Sequence, residues 1–170
     1  MLIYLNGTSS SGKTSIASEL QKLIPEPIFY FSIDTLLYSL SQDDLNAIMG
    51  KQPYRTPLNW NSIFSGYFSS ASALIQTGNS VIADCPVYQQ GLYNIFEKYI
   101  STVPQKTIVK VTCPLEIIKM RETDRKDRAI GVAEKQFEEI HKYLSYDLEV
   151  DSAKLSPRDS ALKIIDFNRK

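Results

Sequence analysis

The chain has 170 residues, of which 43% are apolar and 22% charged, and its basic and acidic side chains balance to a formal net charge of zero. That length suits one domain over residues 1–170, with a core that buries roughly 70% of the unfolded chain's surface, and the neutral balance argues against a broad electrostatic grip on nucleic acid or an anionic membrane. No apolar run reaches the ~20 residues that span a bilayer, and the opening MLIYLNG lacks a basic n-region and a cleavage site, so a cytoplasmic protein with neither nucleic-acid nor membrane partner is expected.

Residues 2–6 form a short apolar run that breaks at Gly7, which reads as a first strand. A helical pattern covers 13–23, with Ile16, Ala17, Leu20 and Leu23 on one face, and Pro25 and Pro27 end it. Strands follow at 28–33, 81–83, 108–112 and 148–150. Helices are expected at 34–40, 60–76, 88–100, 114–125, 133–143 and 157–168, with Pro114 and Pro157 placed as first-turn prolines. The stretch 42–59, with Gly50, Pro53 and Pro57, reads as a loop-rich excursion. Strand–helix alternation of this kind predicts a three-layer α/β/α sandwich around a five-stranded, mainly parallel sheet. Ligands of such sheets bind at the carboxyl ends of the strands, so functional residues are expected just after each strand. Cys85 and Cys113 have no metal-type spacing and read as small half-buried residues, with a reactive thiol as the alternative.

The strongest motif is Gly7-Thr8-Ser9-Ser10-Ser11-Gly12-Lys13-Thr14, a full match to G-x-x-x-x-G-K-[ST]. It follows a strand and opens a helix. Gly7 and Gly12 permit backbone angles that other residues resist. Successive N–H groups then converge on phosphate oxygens, helped by the positive end of the helix. Lys13 reaches the β- and γ-phosphates, and the Thr14 hydroxyl is a Mg²⁺ ligand.

Asp34 ends the second strand on the same sheet edge as the cradle. Its carboxylate suits general-base work on an acceptor hydroxyl, although an Asp before a helix is also a common N-cap. Asp84 ends the third strand and reads as part of a Mg²⁺ shell, as an acceptor contact, or as a turn residue before Pro86. Arg121, Arg125 and Arg128 stand at i, i+4 and i+7. They share one face if the helix continues, and planar guanidinium groups suit a transferring phosphoryl group; the alternative is a solvated, salt-bridged helix end. His141, the sole histidine, reads as a surface or core residue. Tyr54, Trp60, Tyr67, Phe68, Tyr88 and Tyr93 flank the acceptor side, most of them as core, with one or two as pocket lining.

Taken together, these pieces resemble the chloramphenicol phosphotransferase-like proteins, small P-loop kinases of the shikimate-kinase and adenylate-kinase type. The likeness runs from Ile3 through Thr14, returns at Ser32-Ile33-Asp34-Thr35-Leu36, and is densest from Arg121 to Ser152, including Gln136, His141 and Tyr146-Asp147-Leu148-Glu149-Val150-Asp151. The resemblance implies a five-stranded parallel sheet, transfer of the γ-phosphoryl of ATP to a hydroxyl, Asp34 as catalytic base, Lys13 and Thr14 as phosphate and Mg²⁺ residues, and Arg125 and Arg128 in a lid over ATP near 121–135. Two departures stand out. Asp84 is followed by Cys85 rather than by a second acid, and the stretch 41–60, which should shape the acceptor pocket, shows little likeness.

The expected function is therefore ATP- and Mg²⁺-dependent transfer of a phosphoryl group to a small hydroxylated molecule. Other small-molecule, nucleotide or macromolecule P-loop kinases are the alternatives within enzymes, and a nucleotide-dependent switch without an acceptor is the alternative outside them.

Overall fold

A computed structural model describes residues 1–124 and 131–169. Its elements are β1 (Leu2–Asn6), α1 (Lys13–Leu23), β2 (Ile28–Ser32), α2 (Ile33–Leu37), α3 (Gln42–Ile48), α4 (Trp60–Gln76), β3 (Ser80–Asp84), α5 (Gln90–Ile100), β4 (Lys106–Thr112), α6 (Leu115–Asp124), α7 (Val132–Phe137), β5 (Leu148–Asp151) and α8 (Pro157–Asn168). The strands form one sheet in the order β2-β3-β1-β4-β5. Every neighbouring pair is parallel.

The layering follows from alternation along β1, which is buried throughout. Leu2 and Tyr4 point to one face, where they join Phe64, Tyr67 and Phe68 of α4 and Leu92 and Phe96 of α5. Ile3 and Leu5 point to the other, against Ile16, Ala17 and Leu20 of α1 and Ala161, Ile164 and Ile165 of α8. A strand buried on both faces needs apolar residues at both parities, and β1 has them up to Asn6. The polar residue comes where the strand leaves the core, and that is where the site begins. Tyr67 and Phe68 are wholly buried and belong to the core rather than to a pocket.

The structure departs from expectation in two places. Residues 42–48 form α3 rather than loop. Ser41 caps it, accepting a hydrogen bond from the Asp44 N–H and donating its own hydroxyl to the Asp44 carboxylate at 2.6 Å. This side-chain cap, with Asp43 and Asp44 in the first turn, starts a helix that the apolar pattern is too short to announce. The helix expected over 133–143 stops at Phe137. Beyond it the carbonyl of Ile140 is taken by the Asn6 amide at 2.8 Å, so the chain leaves the helical ladder to make that contact. Among the described residues no helix is long and apolar enough to cross a membrane.

Candidate active site

The loop between β1 and α1 has backbone features that a phosphate cradle needs. Gly12 lies at φ +94° and Ser10 at φ +59°, both in the left-handed region, which a non-glycine residue such as Ser10 enters at a cost. Gly7 serves for a different reason than the angular freedom expected of it: a Cβ there would stand 2.6 Å from the Val111 carbonyl oxygen. Residues 8–11 are buried. The side-chain oxygens of Thr8, Ser10 and Ser11 are buried without a partner among the described atoms. Orphaned buried polar atoms are costly, and a ligand rich in acceptor oxygens would satisfy them. The residues therefore fit a bound phosphate chain.

Lys13 is buried. Its ammonium donates to the carbonyls of Gly7 at 2.9 Å and Thr8 at 2.7 Å and stands 3.6 Å from Asp84 Oδ1. The other oxygen of Asp84 accepts from the Tyr30 hydroxyl at 3.0 Å, and the same phenol lies 3.3 Å from Thr14 Oγ1. Burial, and after it the Asp84 carboxylate, push the Tyr30 phenol up to about 12, so it remains a donor at neutral pH. Tyr67 fixes Asp84 from the opposite face: its hydroxyl accepts from the Asp84 N–H at 2.9 Å and donates to the Phe31 carbonyl at 2.8 Å. A threonine hydroxyl and a carboxylate beside a phosphate cradle are hard oxygen donors of the kind Mg²⁺ takes together with phosphates, so the donor set fits that cation.

Two cavities share a wall at this end of the sheet. One, of about 410 Å³, is lined by the cradle, Asp84, Arg121, Gln136 and Ser152. The other, of about 400 Å³, is lined by Leu45, Ile48 and Met49 of and beside α3, by Trp60 and Phe64 of α4, and by Tyr88. Asp34, Ile33, Pro86, Val132 and Gln136 line both. The cap of α2 is Ser32, whose side chain accepts the Asp34 N–H. Asp34 thus lies in the first helical turn and is not the cap that its position also allowed.

Arg121 is held at the first cavity by donating to Ser152 Oγ at 3.2 Å and the Ser152 carbonyl at 3.1 Å. Arg125 and Arg128 lie outside the described residues, as does the middle of the expected lid. What is described beside it is a clamp: buried Glu122 accepts the N–H groups of Gly131 at 2.8 Å and Ala133 at 3.0 Å. Gln136 Oε1 accepts the Ser9 N–H of the cradle at 2.9 Å.

Asn6 ties the end of β1 to three segments. Its Oδ1 accepts from the Val87 N–H at 2.8 Å, and its Nδ2 donates to the Ile140 carbonyl and to Tyr146 Oη at 2.6 Å. Tyr146 Oη is in turn 2.9 Å from His141 Nδ1. Burial, then the nearby Lys110 charge, lower His141 from 6.5 to about 4; it is a neutral partner in a structural network. Among the pocket aromatics, Trp60 and Tyr88 line the second cavity, whereas Tyr54 is exposed and Tyr93 packs against the core. Tyr30 and Ser152 are the site residues that sequence reasoning missed.

A cradle of this geometry after the first strand of a five-stranded parallel sheet, with an acidic side chain between it and a second cavity, defines the class of P-loop kinases. Solved structures agree on the fold. A sugar kinase from Janibacter sp. superposes with a TM-score of 0.73 at 17% identity, covering 98% of this chain and 92% of that one. The APS kinase CysC of Mycobacterium tuberculosis, solved with AMPPNP and APS, gives 0.72 at 15% identity, covering 99% and 97%. A curated M. tuberculosis protein, provisionally named an O-phosphotransferase, is 27% identical over 172 aligned residues, which are 89% of this chain and 74% of that protein.

Within that class, residues 1–169 match the family described as chloramphenicol phosphotransferase-like protein, and the chain belongs to that family. It is a small-molecule phosphotransferase of the kinase type that uses a nucleotide.

Proposed function

We propose that the protein moves the γ-phosphoryl group of ATP onto a hydroxyl of a small, largely apolar and uncharged acceptor. The observation that carries this reading is the position of Asp34 on the wall common to both cavities. A base there reaches an acceptor seated on the α3–α4 side while facing the donor phosphate on the cradle side. Apart from Asp34, the described residues lining the second cavity carry no charge, which favours an uncharged acceptor over an anionic one.

In this reading the backbone N–H groups of residues 7–14 and the buried hydroxyls of Thr8, Ser10 and Ser11 bind the donor phosphates. Lys13 leaves the Gly7 and Thr8 carbonyls for the phosphate oxygens and spreads their charge. Thr14 and Asp84 would hold a Mg²⁺ ion, which would supply positive charge against the donor phosphates. Asp34 accepts the proton of the acceptor hydroxyl as that oxygen attacks the γ-phosphorus, whose bond to the bridging oxygen breaks so that ADP leaves. Arg121, fixed by Ser152, closes the first cavity on the nucleotide side. The contribution of the protein is position and electrostatics.

The test is ADP release from Mg²⁺-ATP, with and without a panel of uncharged and anionic hydroxyl compounds, chloramphenicol included. Asp34→Asn is expected to keep nucleotide affinity and cut acceptor-dependent release by ~10²–10⁴. Full activity in Asp34→Asn removes Asp34 from the role of base. Stimulation by anionic acceptors alone overturns the assignment of the second cavity.

A further inference from the structure

The Tyr30 hydroxyl touches both groups assigned above to the cation, yet phosphoryl transfer by itself does not call for a phenol there. A phenol has one proton, and a carboxylate can only accept. With Asp84 Oδ2 at 3.0 Å and Thr14 Oγ1 at 3.3 Å, one arrangement satisfies both contacts. Tyr30 donates to Asp84, and Thr14 donates to Tyr30. The consequence is directional. The proton of Thr14 is turned toward β2, and the threonine lone pairs face the cavity. At the same time both oxygens of Asp84 are engaged from different sides, Oδ1 by Lys13 at 3.6 Å and Oδ2 by Tyr30, so the carboxylate cannot rotate without losing a partner.

β2 makes this possible through its alternation. Phe31 faces the other side of the sheet, stacked on Tyr67 with ring centroids 5.0 Å apart. Tyr30 faces the α1 side, packed against its core, with its tip at the cradle.

We propose that Tyr30 is a positioning residue for the cation, orienting the Thr14 hydroxyl and the Asp84 carboxylate before any metal arrives. The proposal rests on the reading that Thr14 and Asp84 hold Mg²⁺. Partners one shell out from a metal typically change its affinity by about 10–100-fold when removed.

The test titrates the full chain with a fluorescent, non-hydrolysable ATP analogue, once in EDTA and once across a Mg²⁺ series. The wild type is expected to bind more tightly as Mg²⁺ rises. Tyr30→Phe keeps the ring and is expected to match the wild type in EDTA, while the Mg²⁺ concentration at half-effect rises ~10–100-fold. A Tyr30→Phe variant with the wild-type Mg²⁺ response overturns the proposal and leaves the kinase reading intact. So does weaker binding in EDTA, or a variant that does not fold, since the residue would then act through packing. A wild type without any Mg²⁺ response overturns the assignment of Thr14 and Asp84 as well.

Discussion

The ammonium of Lys13 and the carboxylate of Asp84 stand 3.6 Å apart with side-chain exposures of 8% and 7%. They come from opposite ends of different strand–helix units, Lys13 opening α1 and Asp84 closing β3. Removing one partner of a buried pair leaves the other charge uncompensated, typically at a cost of about 3 kcal/mol or more. Lys13→Ala is therefore expected to lower the denaturation midpoint as well as to abolish transfer. Urea unfolding beside an activity assay checks both. A variant that loses activity at full wild-type stability would mean the pair contributes nothing to the fold.

Trp60 is the only tryptophan and lines the second cavity. An acceptor that occupies this cavity is expected to change tryptophan fluorescence in the absence of nucleotide. Ile48→Asp puts a carboxylate on the same wall and is expected to raise the acceptor KM by ~10-fold or more, with nucleotide affinity unchanged. An unaltered KM would place the acceptor elsewhere.

Gly7 and Gly12 predict different failures. Gly7→Ala drives a methyl group to 2.6 Å from the Val111 carbonyl, an overpacking expected to cost about 1–3 kcal/mol. Gly12→Ala meets its nearest neighbour, Ser152, at an ordinary 3.4 Å, and its cost comes from φ +94°, about 1–2 kcal/mol. Thermal melts of both variants check this. Trimming Val111 cannot rescue Gly7→Ala, because the nearest clash is with its backbone carbonyl and the next, at 2.7 Å, is with Ser11 Oγ.

His141 links stability to pH. Its value is 6.5 when unperturbed and about 4 in the fold, so between these limits the unfolded chain holds a proton that the folded chain does not. Stability from this residue is complete above about pH 6.5 and is lost as pH falls toward 4. The midpoint of thermal unfolding is expected to drop between pH 6.5 and 4.5 more steeply in the wild type than in His141→Gln. Parallel curves would show that the histidine titrates alike in both states.

The parts of the site legible in the sequence are those with short, local rules. The cradle is eight consecutive residues, and Asp84 announces itself by ending an apolar strand and Asp34 by following one. Tyr30 carried no such mark. A tyrosine within Ile-Phe-Tyr-Phe-Ser reads as one more strand residue, and its partner Asp84 is 54 positions away. The α3 helix escaped for the opposite reason. Its seven residues, QDDLNAI, are too few and too polar for a periodic signal, and what starts it is the Ser41–Asp44 cap. Asn6 looked like the polar end of β1; only the tertiary fold brings Val87, Ile140 and Tyr146 to its amide.

The walls of the two cavities have different origins in the chain. The donor side is made by the ends of β1 and β3 and the start of α1, all anchored in the central strands. Much of the wall of the second cavity comes from Leu45, Ile48 and Met49, of and beside the short α3, and from Trp60 at the start of α4, all outside the sheet. Substitutions there leave the sheet register and the phosphate machinery untouched. The molecule is in this sense divided into a wall tied to the central strands and a wall carried by peripheral helices. A binding wall set on peripheral helices can be recut for a different ligand while the strand ends that carry the cradle stay as they are.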